Sequence, residues 1–295
     1  MSQGVQLTEA PIWRPPSEAD SLIIRAATGC SYNHCTFCSM YRDITYSARP
    51  LPDVMTEIDT AAARNPDIQR VFLADADAWG LPTTTLLSIV DRLHQRFPRL
   101  SRVAAYATPF NLMQKTHDEL VELCEAGLRM AYVGVESGSD MILKRIVKGS
   151  AHQMEEGVRK GLEAGIEISA TVITGLGGTN FWREHIEATA ALINRVTPTY
   201  LSTLQLVLNE DSAKGFIERY GDTFEPQTDR GILQEIKLLV ELIDPPNPVI
   251  FRTNHASNAL ALAGTLPHDK ARVLADLDRA ITGKRALRPG WMRGL

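Results

Sequence analysis

Three cysteines of this chain stand within nine residues, Cys30, Cys35 and Cys38, in the segment ATGCSYNHCTFCSMYRD. Soft thiolates this close together can wrap one compact metal centre, and three of them leave a four-iron cluster with one iron lacking a protein ligand. That open coordination position is where a reactive cofactor would sit. The fourth cysteine, Cys124, shares one face of a helical pattern with Leu120, Val121 and Leu128, which reads as a packed core thiol. Adjacent cysteines of this kind read as metal ligands rather than as a disulfide framework. The rival reading is a zinc site completed by His34, against which stands the tendency of structural zinc sites to draw ligands as two separated pairs.

Other chemistry-bearing residues cluster at what read as strand ends. FLADADAW places Asp75 and Asp77 two residues apart, hence on one face of a strand, and GVESGSD does the same for Gly134 and Glu136. In the second pair a missing side chain sits beside a carboxylate, so a ligand can approach the backbone there. TGLGG contributes Gly175 and Gly177 after a later strand, with Arg183 and His185 opening the helix beyond. FRTNHASN packs Arg252, Asn254, His255 and Asn258 between an apolar strand and an expected helix; it reads as a substrate loop or, alternatively, as helix capping.

The elements that must position these residues alternate regularly. Strands are predicted near 22–27, 70–74, 102–107, 131–135, 166–173 and 200–207, and helices near 53–64, 83–97, 116–126, 154–164 and 181–194. Such βα alternation implies a parallel sheet with helices outside, and the cysteines then fall on the first loop at its C-terminal face, where barrel enzymes build their sites. The expected fold is α/β, a partial (β/α)6 TIM-like barrel over 21–208. An extended segment over 1–20 precedes it, and a short, mostly helical extension over 209–295 packs on it. Within that extension 209–230 reads as irregular, 231–243 as helical, 249–251 as a short strand, and 256–263 and 268–281 as helices.

The cysteine segment resembles the cluster loop of the radical S-adenosylmethionine (radical SAM) superfamily, including the aromatic Phe37 just before the last cysteine. Four residues rather than the common three separate the first two cysteines. GVESGSD and GLGG look most like the branch containing tetrapyrrole cyclases. The resemblance implies one [4Fe-4S] cluster on Cys30, Cys35 and Cys38. It implies that S-adenosylmethionine, chelated to the open iron, is cleaved to methionine and a 5′-deoxyadenosyl radical that abstracts hydrogen from a small-molecule or unidentified substrate. It assigns Asp75 and Asp77 to the strand end that binds the amino group of the cofactor, and Phe37, Gly134, Glu136, Gly175 and Gly177 to further cofactor contacts. A reductant such as flavodoxin or ferredoxin is the implied partner. An electron carrier without a cofactor site is a second rival, against which Asp75, Gly134 and Glu136 speak.

Composition is ordinary for a globular protein, with 44% hydrophobic and 22% charged residues and a net charge of −4. No basic stripe suited to nucleic acid is present, no apolar run approaches a membrane span, and the N-terminus lacks a signal pattern, so a cytoplasmic protein is expected. About 20 residues ahead of the first strand are too few for a cobalamin domain of roughly 50 or more. Cys124 alone cannot ligate an auxiliary cluster, so a single cluster per chain is expected.

Overall fold

In the computed structural model, residues 12–221 and 224–294 are described, so the start of the 1–20 segment lies outside them. The elements in chain order are β1 (Leu22–Arg25), β2 (Ala27–Thr28), β3 (Ser47–Ala48), α1 (Leu51–Arg64), β4 (Arg70–Ala74), α2 (Thr83–Arg96), β5 (Arg102–Ala107), α3 (Pro109–Gln114), α4 (His117–Ala126), β6 (Leu128–Glu136), α5 (Asp140–Arg145), α6 (Ala151–Glu163), β7 (Glu167–Thr174), α7 (Gly178–Val196), β8 (Tyr200–Gln205), α8 (Glu210–Tyr220), α9 (Asp229–Leu242), β9 (Val249–Arg252), β10 (Ala263–Leu266) and α10 (Lys270–Ile281). The main sheet runs β1-β4-β5-β6-β7-β8-β9-β10. Every neighbouring pair is parallel except β9 with β10. All six expected strands are present as an open, partial barrel, and the C-terminal segment prolongs the same sheet by two more.

Alternation along the strands separates two apolar layers. Val71, Leu73, Val103, Ala105, Ile168, Ala170, Leu201 and Phe251 face outward into the large core beneath the helices. Phe72, Ala74, Ala104, Met130 and Tyr132 face inward, joined by Ile23, Tyr106 and Tyr200. Several helices begin where short polar side chains satisfy their free N–H groups: Thr108 with Asn111, Thr116 with Glu119 and Ser150 with Gln153 form reciprocal caps. No helix among the described residues is long and apolar enough to cross a membrane.

Two expectations for the C-terminal segment are overturned. Residues 210–220 are not irregular, because Asn209 caps α8 and Phe216 and Tyr220, one turn apart, pack together with Phe224, whereas 224–228 are without regular structure as expected. The apolar stripe there is too narrow to stand out in a polar sequence. Residues 256–263 are not a helix, despite their Ala and Leu content. Thr253 accepts from the Leu262 amide (2.8 Å) and donates to the Leu260 carbonyl (2.6 Å), holding the chain open until it returns as β10. Tertiary hydrogen bonding has overridden local propensity.

The bottom of the barrel is closed by Glu18, fully buried, which accepts from Ser21 (2.5 Å), Tyr132 (2.5 Å) and Arg102 (2.6 Å). Glu18→Ala strands the Arg102 guanidinium, which is partly solvated, and should lower stability by about 2–3 kcal/mol in a denaturant titration.

Candidate active site

The parallel strands end at a common rim, and the cysteine loop rises from it after β1. Pairing of β2 with β3 closes the base of this loop, and Gly29 there takes φ +76° with the Ile44 carbonyl 3.0 Å from where a Cβ would stand. Inside the loop, Asn33 donates to the Tyr41 carbonyl (2.7 Å), and Arg42 donates to the carbonyls of Thr36 (3.2 Å) and Cys38 (3.1 Å). Two bonds tie the loop to the segment after α5: Thr36 N–H to the Ile146 carbonyl (3.1 Å) and Tyr32 O–H to the Val147 carbonyl (3.0 Å). Phe37 is half-buried against the main core.

Burial pushes all three thiols above their ordinary range, Cys35 to about 11, while the Lys148 ammonium pulls each of them back. Lys148 is the candidate site residue that sequence reasoning missed. It is 7% exposed, 3.5 Å from Glu136 Oε1, and lies over the Tyr32 ring. Burial alone would pull its ammonium down, but Cys35, Glu136, Cys30 and Cys38 outweigh it and hold the proton on more firmly than usual. A lysine in IVKGS gave no signal of this, since only the fold brings it opposite the thiols. Among the described residues no three His, Cys, Asp or Glu side chains gather closely enough for a single metal ion. His34 is exposed, its ring edge-on to Tyr32 at 5.5 Å.

Asp75 and Asp77 do not share a face, because β4 ends at Ala74 and strand alternation stops with it. Asp75 turns to Arg25 (3.5 Å) and Tyr41 (3.5 Å). Asp77 turns to the cysteine loop, where Ser31 donates to its Oδ2 from both the amide (3.1 Å) and the hydroxyl. The Asn111 side chain lies close enough to favour the carboxylate's charged form, but Oδ1, wholly buried, has no partner at hydrogen-bond geometry among the described residues. Such an atom is costly to leave unmet, so a bound donor fits there.

At the end of β6 the register shifts, Glu136 adopts φ +64°, and its carboxylate folds back over Gly134. A Cβ on Gly134 would lie 2.1 Å from Glu136 Oε1. The absent side chain therefore makes room for Glu136 itself. Burial raises the Glu136 carboxyl, opposed by Lys148. The following residues are structural: Ser137 donates to His185 Nδ1 (2.8 Å), whose Nε2–H donates to the Ile173 carbonyl (3.0 Å). His185 is thus a buried tie between β6 and β7 and not a rim residue, and burial holds it neutral, with its pKa lowered to about 4.

Gly175 takes φ +89°, and its amide donates to Glu235 Oε2 (2.7 Å) on α9. Gly177 caps α7, with the Trp182 backbone 2.6 Å from a would-be Cβ. Both glycines thus have packing reasons for being there. Cys124 is half-buried near the end of α4, which leads into the start of β6, at the opposite end of the sheet from the cluster loop.

A model of the radical SAM superfamily matches residues 24–193, more than half of the chain. The chain belongs to the radical SAM superfamily. Membership makes this radical SAM protein an enzyme and removes the non-catalytic zinc module as a reading of the same cysteines. It is 26% identical over 228 residues to 4′-phospho-dehydrooxetanocin synthase of Priestia megaterium, a match covering 68% of this chain and 30% of that protein. The chain thus spans less than a third of the length of that curated relative. Its fold is shared with coproporphyrinogen III oxidase of Escherichia coli (TM-score 0.56, 11% identity, 75% of this chain and 51% of that one). It is shared also with a radical SAM methyltransferase of Kitasatospora setae, solved with tryptophan and a SAM analogue (TM-score 0.54, 18% identity, 81% and 54%).

Burial lifts the Glu235 carboxyl from 4.5 to about 8, against the opposing bond from Gly175. Between those values the folded protein keeps a proton that the unfolded chain has lost, so this contribution to stability is full below pH 4.5 and lost as pH rises through 8. Glu235→Gln retains an acceptor for Gly175. Its unfolding midpoint in urea should therefore gain on wild type steadily between pH 5 and pH 8.

Proposed function

We propose that Cys30, Cys35 and Cys38 hold one four-iron cluster, and that the rim formed by Asp77, Gly134, Glu136 and Lys148 receives S-adenosylmethionine beside it. Bound there, the cluster supplies the electron that cleaves the cofactor to methionine and a 5′-deoxyadenosyl radical able to abstract hydrogen from a substrate. The observation that carries this reading is the buried, unpartnered Oδ1 of Asp77 at the rim where Lys148 sits buried beside Glu136 and the three thiols.

Each residue has a distinct task. Asp77 braces the loop through Ser31 with one oxygen and offers the other to the cofactor's ammonium, a charge-assisted contact. Lys148 offsets the negative charge of the thiolates and faces the carboxylate of the cofactor. Glu136, held over Gly134, accepts hydrogen bonds from the nucleoside part. Phe37 packs the back of the loop and keeps water from the thiolates. Asp75 acts at one remove, fixing Arg25 and Tyr41 beneath the loop. Gly175 and Gly177 shape the loop after β7 next to this rim. Substrate enters from the same open face, and a small reducing protein of the flavodoxin or ferredoxin type, in the cytoplasm, delivers the electron.

Replacing any one of the three cysteines by alanine should abolish the brown iron–sulfur chromophore of anaerobically reconstituted protein, while Cys124→Ala keeps its iron. Full iron content in a single rim-cysteine variant would refute the assignment. Reduced wild-type protein should form 5′-deoxyadenosine even without substrate. Asp77→Asn should keep its iron but bind S-adenosylmethionine roughly tenfold more weakly, as measured by equilibrium dialysis.

A further inference from the structure

Several charged groups that face the inside of the barrel are answered by opposite charges: Glu18 by Arg102, Arg25 by Asp75, and Glu136 by Lys148. Arg252 is not among them. It is half-buried at the end of β9, and its guanidinium rests over the Tyr200 ring, 5.4 Å from the centroid. Tyr200 belongs to the inner apolar layer, whereas Phe251, the neighbour of Arg252, belongs to the outer core. Arg252 therefore points into the barrel. Among the described residues no carboxylate lies within ion-pair distance of it.

Sheet register places Arg252 in a row of side chains. Gly134 on β6 is level with Thr171 on β7, Thr171 with Ser202 on β8, and Ser202 with Arg252 on β9. Thr171 and Ser202 are half-buried on the inner face, and neither hydroxyl has a hydrogen-bond partner among the described residues. The loop after β9 turns most of its polar groups onto the protein itself. Asn258 donates to the carbonyls of Thr203 (2.6 Å) and Thr253 (3.1 Å), Ser257 accepts from the Gln205 amide (3.2 Å), and Arg288 donates to the carbonyls of His255, Ala256 and Asn258. This leaves Arg252 as the cation that β9 and its loop present to the interior.

We propose that Arg252, with the Ser202 and Thr171 hydroxyls, forms a subsite for an oxyanion, a carboxylate or a phosphate, on a small-molecule substrate. The fork of guanidinium N–H groups suits a planar pair of oxygens, the ring beneath steadies its orientation, and the two hydroxyls supply further donors. Three strand spacings, roughly 14 Å, separate Gly134 from Arg252 along the row. A small molecule anchored at Arg252 thus reaches toward the Gly134 and Glu136 rim. The inference rests on the reading of that rim as the cofactor site.

The test is direct binding to reconstituted protein saturated with S-adenosylmethionine, by calorimetry at constant ionic strength, with inorganic phosphate, benzoate and neutral benzamide as probes. At least one anion should bind wild type, with benzamide at least tenfold weaker. Arg252→Gln should lower anion affinity roughly tenfold or more, and Arg252→Lys should fall between, because it keeps the charge and loses the fork. Thr171→Val with Ser202→Ala should give a smaller loss. Preference for phosphate or for benzoate tells which anionic group the substrate bears. Equal anion affinity in wild type and Arg252→Gln, or none in wild type, overturns the subsite; if Arg252→Gln does not fold, equal affinity in Arg252→Lys and in the double variant does so. Iron content and cofactor affinity of the same samples report separately on the rim.

Discussion

A buried ammonium sits where the site must assemble. Lys148 is removed from water beside Glu136 and close to three thiols, and a charge so placed is tolerable only when an opposite charge such as the Glu136 carboxylate stands against it. The surrounding structure keeps that encounter fixed. Tyr32 and Thr36, inside the cysteine loop, bond to the carbonyls of Val147 and Ile146, immediately before the lysine. Val147 takes φ +56°, a conformation costly for a β-branched residue, as the chain turns to deliver the side chain. Two segments more than a hundred residues apart thus act as one rigid unit.

Beneath that unit the barrel interior is layered by polarity. Glu18, Arg102 and Tyr132 close the bottom with paired charge, and Phe72, Tyr106 and Tyr132 form an edge-to-face aromatic belt above it. Polar groups gather again toward the rim. The two aspartates after β4 divide the work there: Asp75 is saturated by Arg25 and Tyr41, whereas Asp77 leaves one oxygen unmet. An apolar layer below a polar mouth suits chemistry that must be shielded from water.

The C-terminal segment is part of the same construction. β9 continues the parallel set and brings Arg252 level with Ser202, while α9 sends Glu235 to the amide of Gly175 at the end of β7. A carboxylate so deeply buried holds its proton in the neutral range. The β7 loop is thereby fixed from outside the strands it follows.

The six strands of the core, the helices between them and the cysteine loop at the C-terminal face were legible from the sequence, because alternation of period two, capping pairs and thiol spacing are local properties of the chain. So were Glu136 beside Gly134 and the core packing of Cys124. What lay beyond sequence was decided by contacts between distant segments. The helix expected at 256–263 is undone by Thr253, and α8 arises from a narrow aromatic stripe. Asp75 and Asp77 part company where β4 stops, and His185 turns inward to Ser137. Lys148 and Arg252 gain their meaning only from the groups set opposite them or left absent. Local pattern determines which elements form and which thiols can share a centre, but the charge that faces a given side chain depends on the folded neighbourhood.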